Sequence, residues 1–147
     1  MTMALLDDAL ALAAEGLPVF PCNAQKQPVV TGGFKAATTD PAEIRRMFAA
    51  PGAALIGVPA GIATRCVVVD VDPRHNGHLW YEEHRDALPA TRTHRTMNGG
   101  LHLVFAHPLG DLRISNRSGV FPGVDVRGDG GYIIAPPSPG YAIVDDS

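Results

Sequence analysis

Three short stretches of this sequence carry side chains able to do chemistry if the fold gathers them. The first is Cys66-Val67-Val68-Val69-Asp70-Val71-Asp72. A strand alternates faces residue by residue, so Asp70 and Asp72 are predicted to project from one face, roughly 6.5–7 Å apart along the backbone. Val67, Val69 and Val71 are then expected to bury on the other face. Two carboxylates so placed repel, and one is pushed towards protonation unless a cation relieves the conflict. Oxygen-only ligands select hard ions, so Mg2+ or Mn2+ suits the pair. The plainer reading is a strand-to-loop junction at which Asp72-Pro73 opens a turn.

The second stretch is Thr96-Met97-Asn98-Gly99-Gly100-Leu101-His102-Leu103-Val104-Phe105. Gly99 and Gly100 are expected to supply positive φ angles for a tight turn and to let backbone N–H groups approach an anion. His102 follows on the strand face opposite Leu101, Leu103 and Phe105, where it can donate to a phosphate oxygen. Alone, this reads as a hairpin with a surface histidine. The third stretch is Pro122-Gly123-Val124-Asp125-Val126-Arg127-Gly128-Asp129-Gly130-Gly131-Tyr132. Asp125 and Arg127 share a strand face, which suits a metal ligand beside a triphosphate-binding guanidinium, or a surface ion pair flanking a turn. Asp129 is assigned to the turn and Ser138 to structure. In-line phosphoryl or nucleotidyl transfer needs metals and positioned charge more than protein acids or bases, and three carboxylates with one histidine meet that requirement.

The elements that must position these groups can be read from pattern. Leu5, Leu6, Ala9, Leu10 and Ala13 predict a helix over 4–15, stopped by Gly16. Leu17–Phe20 reads as a short strand and 23–39 as a loop carrying Lys26 and Lys35. Asp40-Pro41-Ala42-Glu43 is a helix start, with Ile44, Met47 and Phe48 facing inward. Strands follow at 54–58 and 65–72, then a helix at 79–88 with Trp80 inward. Strands at 93–96 and 101–105 flank the first glycine turn, and strands at 123–127 and 132–135 flank the second. Mixed helix and strand, then strands and glycine turns, predicts an α+β fold with a mostly antiparallel sheet. No boundary divides the chain, so one domain over 1–147 is expected.

Composition sets the bounds. The 147 residues carry net charge −3, with 46% hydrophobic and 18% charged residues. That permits a packed core and excludes a strongly basic chain bound to nucleic acid by its overall field. Sixteen glycines and thirteen prolines indicate many tight turns. No apolar run approaches the ~20 residues of a membrane span, and Asp7 and Asp8 stand where a secretion signal carries positive charge. Cys22 and Cys66 lack C-x-x-C spacing, so a reducing cytoplasm is the expected location. His75, His78 and His84 have no trusted ligand spacing and are read as solvent-facing. Arg92, His94, Arg95, Arg113 and Arg117 form a mild basic cluster suited to template phosphates.

D-V-D, T-x-N-G-G-x-H-x-V-F and P-G-V-D-V-R-G-D-G-G-Y-I-I-A-P-P-S occur in that order, with G-L-P-V-F-P, K-x-P at Lys26–Pro28 and G-F-K-A-A-T-T-D at 33–40. In this the chain resembles, from about Ala9 to Tyr141, the N-terminal catalytic domain of bifunctional DNA primase/polymerases, the prim-pol proteins of the archaeo-eukaryotic primase superfamily. The resemblance implies a primase-like core, with Asp70 and Asp72 as the first metal-binding motif and Asp125 as the third-motif carboxylate. It implies that His102 contacts the phosphates of the incoming nucleotide, and that Arg127, Lys26 and Lys35 contact nucleotide or template. Asn98 departs from the serine common before Gly-Gly, a small change between small polar residues. Neither a P-loop helicase motif nor an accessory helical domain is found in these residues, so primer extension, with a helicase or helical partner elsewhere, is the expected activity. The expected cofactors are two Mg2+ or Mn2+, and the expected partners nucleoside triphosphates and a DNA template and primer, with no membrane. The rivals are an inactive nucleotide- or single-stranded-DNA-binding module and a two-metal nuclease or phosphatase.

Overall fold

A computed structural model describes residues 3–108 and 112–147. These form an α+β protein with two antiparallel sheets, and the chain divides into two compact units. The first takes residues up to 59 together with 132–139; the second takes 60–131 and 140–147.

In the first unit, α1 (Met3–Ala14) precedes β1 (Phe20–Cys22), and α2 (Pro41–Phe48) precedes β2 (Leu55–Pro59). The strand expected at 17–20 begins three residues later, with Val19 bridged instead to Thr38. Asp40 caps α2 by accepting the Ala42 N–H, Pro41 opens the helix, and Ile44, Met47 and Phe48 are buried as their spacing requires. The sheet runs β1-β2-β8, where β8 is Tyr132–Ile134. Gly57 on β2 leaves room for the Phe20 ring, which a Cβ there would meet at 2.5 Å. Ser138 is buried and its Oγ accepts the Ile56 N–H at 2.9 Å, a structural role. Burial pushes the Cys22 thiol up to about 12, which leaves it unreactive.

The second unit is a six-stranded sheet. Its strands are β3 (Cys66–Val71), β4 (Arg92–Arg95), β5 (Leu101–Ala106), β6 (Arg117–Phe121), β7 (Val124–Arg127) and β9 (Ala142–Asp145), in the order β6-β7-β3-β5-β4-β9. Between β3 and β4 lie a 3-10 turn at Pro73–His75, α3 (Gly77–His84) and a second 3-10 turn at Arg85–Ala87. The helix therefore ends earlier than its expected limit at Leu88.

Four expectations change here. The strands around Gly128–Gly131 are no hairpin: β7 pairs with β3, whereas β8 pairs with β2 in the other sheet. β6 and β9, at the two edges, were not foreseen. Val68, on the Asp70 face, is as deeply buried as Val71, while Val69 is half-buried, so both faces of β3 are covered. Trp80 is half-buried rather than core, its ring stacked against those of His84 and Phe121 at centroid distances of 4.9 and 5.6 Å, in a three-ring cluster whose third side is 6.2 Å.

Candidate active site

The central strand β3 is hydrogen-bonded on both sides, and its register builds the site. Asp70 faces His102 on β5 and Asp125 on β7, and His102 in turn faces His94 on β4. Residues directly opposite share a sheet face, so His94, His102, Asp70 and Asp125 form one polar row. One step along the same face, Arg92 and Arg127 flank Val104 and Val68 in a second row. Two aspartates more than fifty residues apart in sequence are thus brought side by side by backbone pairing. Asp72 lies just past the end of β3, where its N–H donates to the Gly123 carbonyl at 2.8 Å.

Each carboxylate has a cationic partner. The Arg127 Nη2 donates to Asp125 Oδ2 at 2.9 Å and reaches Asp70 Oδ2 at 3.4 Å. The other Asp125 oxygen accepts the Gly119 N–H at 2.7 Å, and His102 Nε2 stands 3.5 Å from Asp70 Oδ1. Asp72 accepts the Arg74 N–H at 2.9 Å, which opens the 3-10 turn, and is forked by the Arg74 guanidinium at 3.1 and 3.0 Å. Asp72-Pro73 therefore does open a turn, as the plainer reading held.

The repulsion expected to drive one carboxyl towards protonation is overcome. Burial of Asp70 favours its neutral form, yet His102 and Arg127 together outweigh that and hold its carboxyl below the usual value. Arg74 does the same for Asp72. Among the described residues, no group of three or more His, Cys, Asp and Glu side chains stands in metal-holding geometry. Two guanidinium groups occupy the positions facing these carboxylates.

His102 is buried, not a surface histidine, because β3 and β4 enclose it and the Tyr141 ring lies 6.4 Å from its own. His94 is buried too; its Nε2 accepts from Arg92 Nε at 2.9 Å. Burial, then the neighbouring Arg92 and His102, lower the His94 pKa to about 4, so it is neutral at pH 7. Nδ1 of both histidines has no hydrogen-bond partner among the described residues.

The glycine pair divides its labour. Gly99 has φ +77 and open space around it, while Gly100 has no positive φ. Gly100 is required for close approach, since a Cβ would fall 2.4 Å from the Val71 carbonyl oxygen. Asp129 serves its loop, accepting the Ile62 and Ile114 N–H groups at 2.9 and 3.1 Å.

The chain matches the family of bifunctional DNA primase/polymerase N-terminal domains over residues 9–147. It belongs to this Prim-Pol family. Among curated proteins, no sequence matches it. Family membership makes this a domain of DNA primase/polymerase type, whose chemistry is nucleotidyl transfer and whose substrates are DNA and nucleotides. No helix among the described residues is long and apolar enough to cross a membrane.

Of the remaining Prim-Pol candidates, Arg92 lies on the site's face of the sheet, one row from His94. Lys26 and Lys35 belong to the first unit, Lys26 at φ +69 with its carbonyl accepting the Tyr132 hydroxyl. The basic cluster is dispersed: Arg92 and Arg95 point to opposite faces of β4, and Arg117 lies on β6, with three strands between. Arg113 is exposed in the segment before β6. Sequence reasoning missed Arg74 as a carboxylate partner and His94 as part of the row. The signals were there, in Arg74 two residues beyond an Asp-Pro and in the period of two from Arg92 to His94.

Proposed function

We propose that this Prim-Pol domain carries out metal-dependent, template-directed nucleotidyl transfer, extending a DNA primer with nucleoside triphosphates. The observation that supports this reading most is the row in which Asp70 has His102 on one side and Asp125 on the other. The donor set is carboxylate oxygen, the chemistry a hard divalent cation favours. The positive charge those carboxylates attract from Arg74 and Arg127 is consistent with such a site.

Asp70, Asp72 and Asp125 would hold two Mg2+ or Mn2+, which supply alignment of the attacking and leaving oxygens and neutralise developing charge. The protein's own part is positioning. His102, fixed against Asp70, and Arg127, whose planar fork matches phosphate oxygens, orient the triphosphate. The turn is open at Gly99, where phosphate can come close to the backbone. The primer 3′-hydroxyl gives up its proton to solvent and attacks the α-phosphorus; the new ester bond forms as the α–β anhydride bond breaks, and pyrophosphate leaves in line.

The test is extension of a labelled primer on a template with all four deoxynucleotides and Mn2+, comparing wild type with Asp70→Asn. Wild type extends and the variant does not. Equal rates in the two would remove the assignment. Shortening of the primer without nucleotides would favour a nuclease, and DNA binding without extension a binding module.

A further inference from the structure

Asp72 is fully engaged by one residue, and that residue is the least confined cation at the site. Asp72 Oδ1 accepts from the Arg74 N–H and Nε, and Oδ2 from Nη2. The Arg74 side chain is 56% exposed, on a three-residue 3-10 turn outside the sheet, whereas that of Arg127 is 27% exposed and leaves a central strand. A dication and a guanidinium cannot share the same two oxygens at contact distance without strong like-charge repulsion. An exposed ion pair opens at little cost. The Arg74 N–H is backbone, so it keeps Asp72 oriented after the guanidinium departs.

We propose that Arg74 is a displaceable counter-ion. It neutralises Asp72 while the site lacks a divalent cation, and it turns onto the triphosphate when the cation takes the carboxylate. The proposal rests on the metal-dependent reading given above. It makes metal and nucleotide binding mutually reinforcing, because each stabilises the arrangement the other needs, and such coupling is reciprocal. Arg74 is then a positioning residue for Asp72 in one state and a phosphate ligand in the other, a role its planar donor fork suits.

The experiment titrates Mn2+ alone into the full chain, following loss of the free Mn2+ paramagnetic resonance signal. It compares wild type, Arg74→Met, Arg74→Lys, Asp72→Asn and Asp70→Asn, each checked for fold by circular dichroism. Arg74→Met should bind Mn2+ roughly three- to fivefold more tightly than wild type, the scale of an exposed ion pair. Arg74→Lys, which keeps charge but loses the fork, should fall between, and both aspartate variants should bind more weakly. With Mn2+ saturating, a fluorescent nucleoside triphosphate should bind Arg74→Met at least threefold more weakly than wild type. Unchanged or weaker Mn2+ binding by Arg74→Met, beside weakened aspartate variants, would overturn the counter-ion role and leave the metal site standing. Unchanged Mn2+ binding in both aspartate variants would remove the metal site and the counter-ion role together.

Discussion

Asp70 and Asp125 face each other across the β3–β7 ladder, and a single guanidinium, that of Arg127, reaches an oxygen of each. Their spacing is therefore set by backbone hydrogen bonds, and the charge between them by a side chain on the neighbouring row. Asp125→Asn keeps the oxygen that accepts from Gly119 and removes the charge. It should leave the circular dichroism spectrum unchanged and lower primer extension by at least about a hundredfold, the scale of losing one preorganised charged contact. Steady-state extension assays on folded variant protein check this.

His94 offers a pH signature. Its ordinary value is 6.5 and its folded value about 4. In that interval the unfolded chain holds the extra proton, so stability is complete above the ordinary value and falls as pH drops towards the folded one. Denaturant melts should show wild type weakening on acidification through this window, and His94→Gln should flatten the slope. In NMR, the His94 ring should stay unprotonated until pH approaches 4.

Asp70 titrates with the opposite charge and the same direction on the pH axis. Its folded value lies below the ordinary 3.8, so the ionised form contributes stability above that value, lost as pH falls through the lowered one. The stability gap between wild type and Asp70→Asn should thus be widest near neutrality and close in strong acid, as urea melts across the acid range would read.

The two turn glycines should separate by mechanism. Gly99→Ala meets no atoms but strains a positive φ, costing about 1 kcal/mol. Gly100→Ala drives a methyl group into the Val71 carbonyl, so it should cost the upper part of the roughly 1–3 kcal/mol typical of overpacking. Because Val71 adjoins Asp70, Gly100→Ala should also depress extension, while Gly99→Ala retains most of it. Paired melts and extension assays would distinguish them.

How far the sequence could be read follows the range of the forces involved. The Asp40 cap and the Cys66–Val71 strand were legible because each depends on residues within a few positions. β6 was not, since Arg117-Ser118-Gly119-Val120-Phe121 is exposed throughout and has no buried face to imprint a pattern; β9 exposes Ile143 and Val144 in the same way. The glycine run at 128–131 suggested a hairpin because turn chemistry is local, whereas the partners of β7 and β8 lie far away in sequence. Asp70, Asp72 and Asp125 were legible as candidates by residue type. The burial of His102 and the grip of Arg74 on Asp72 arise from neighbours and rotamers that spacing does not reveal.

Because Asp70 is matched on both sides by register, the site has no tolerance for changes in strand length. Inserting or deleting one residue within 66–71 would turn Asp70 to the opposite face and put a valine in its place, with composition almost unchanged. Connections that hold none of the residues placed at the site carry no such constraint. Variation in length, whether by natural drift or by an engineer's hand, belongs in those connections, and the three central strands must be treated as a ruler.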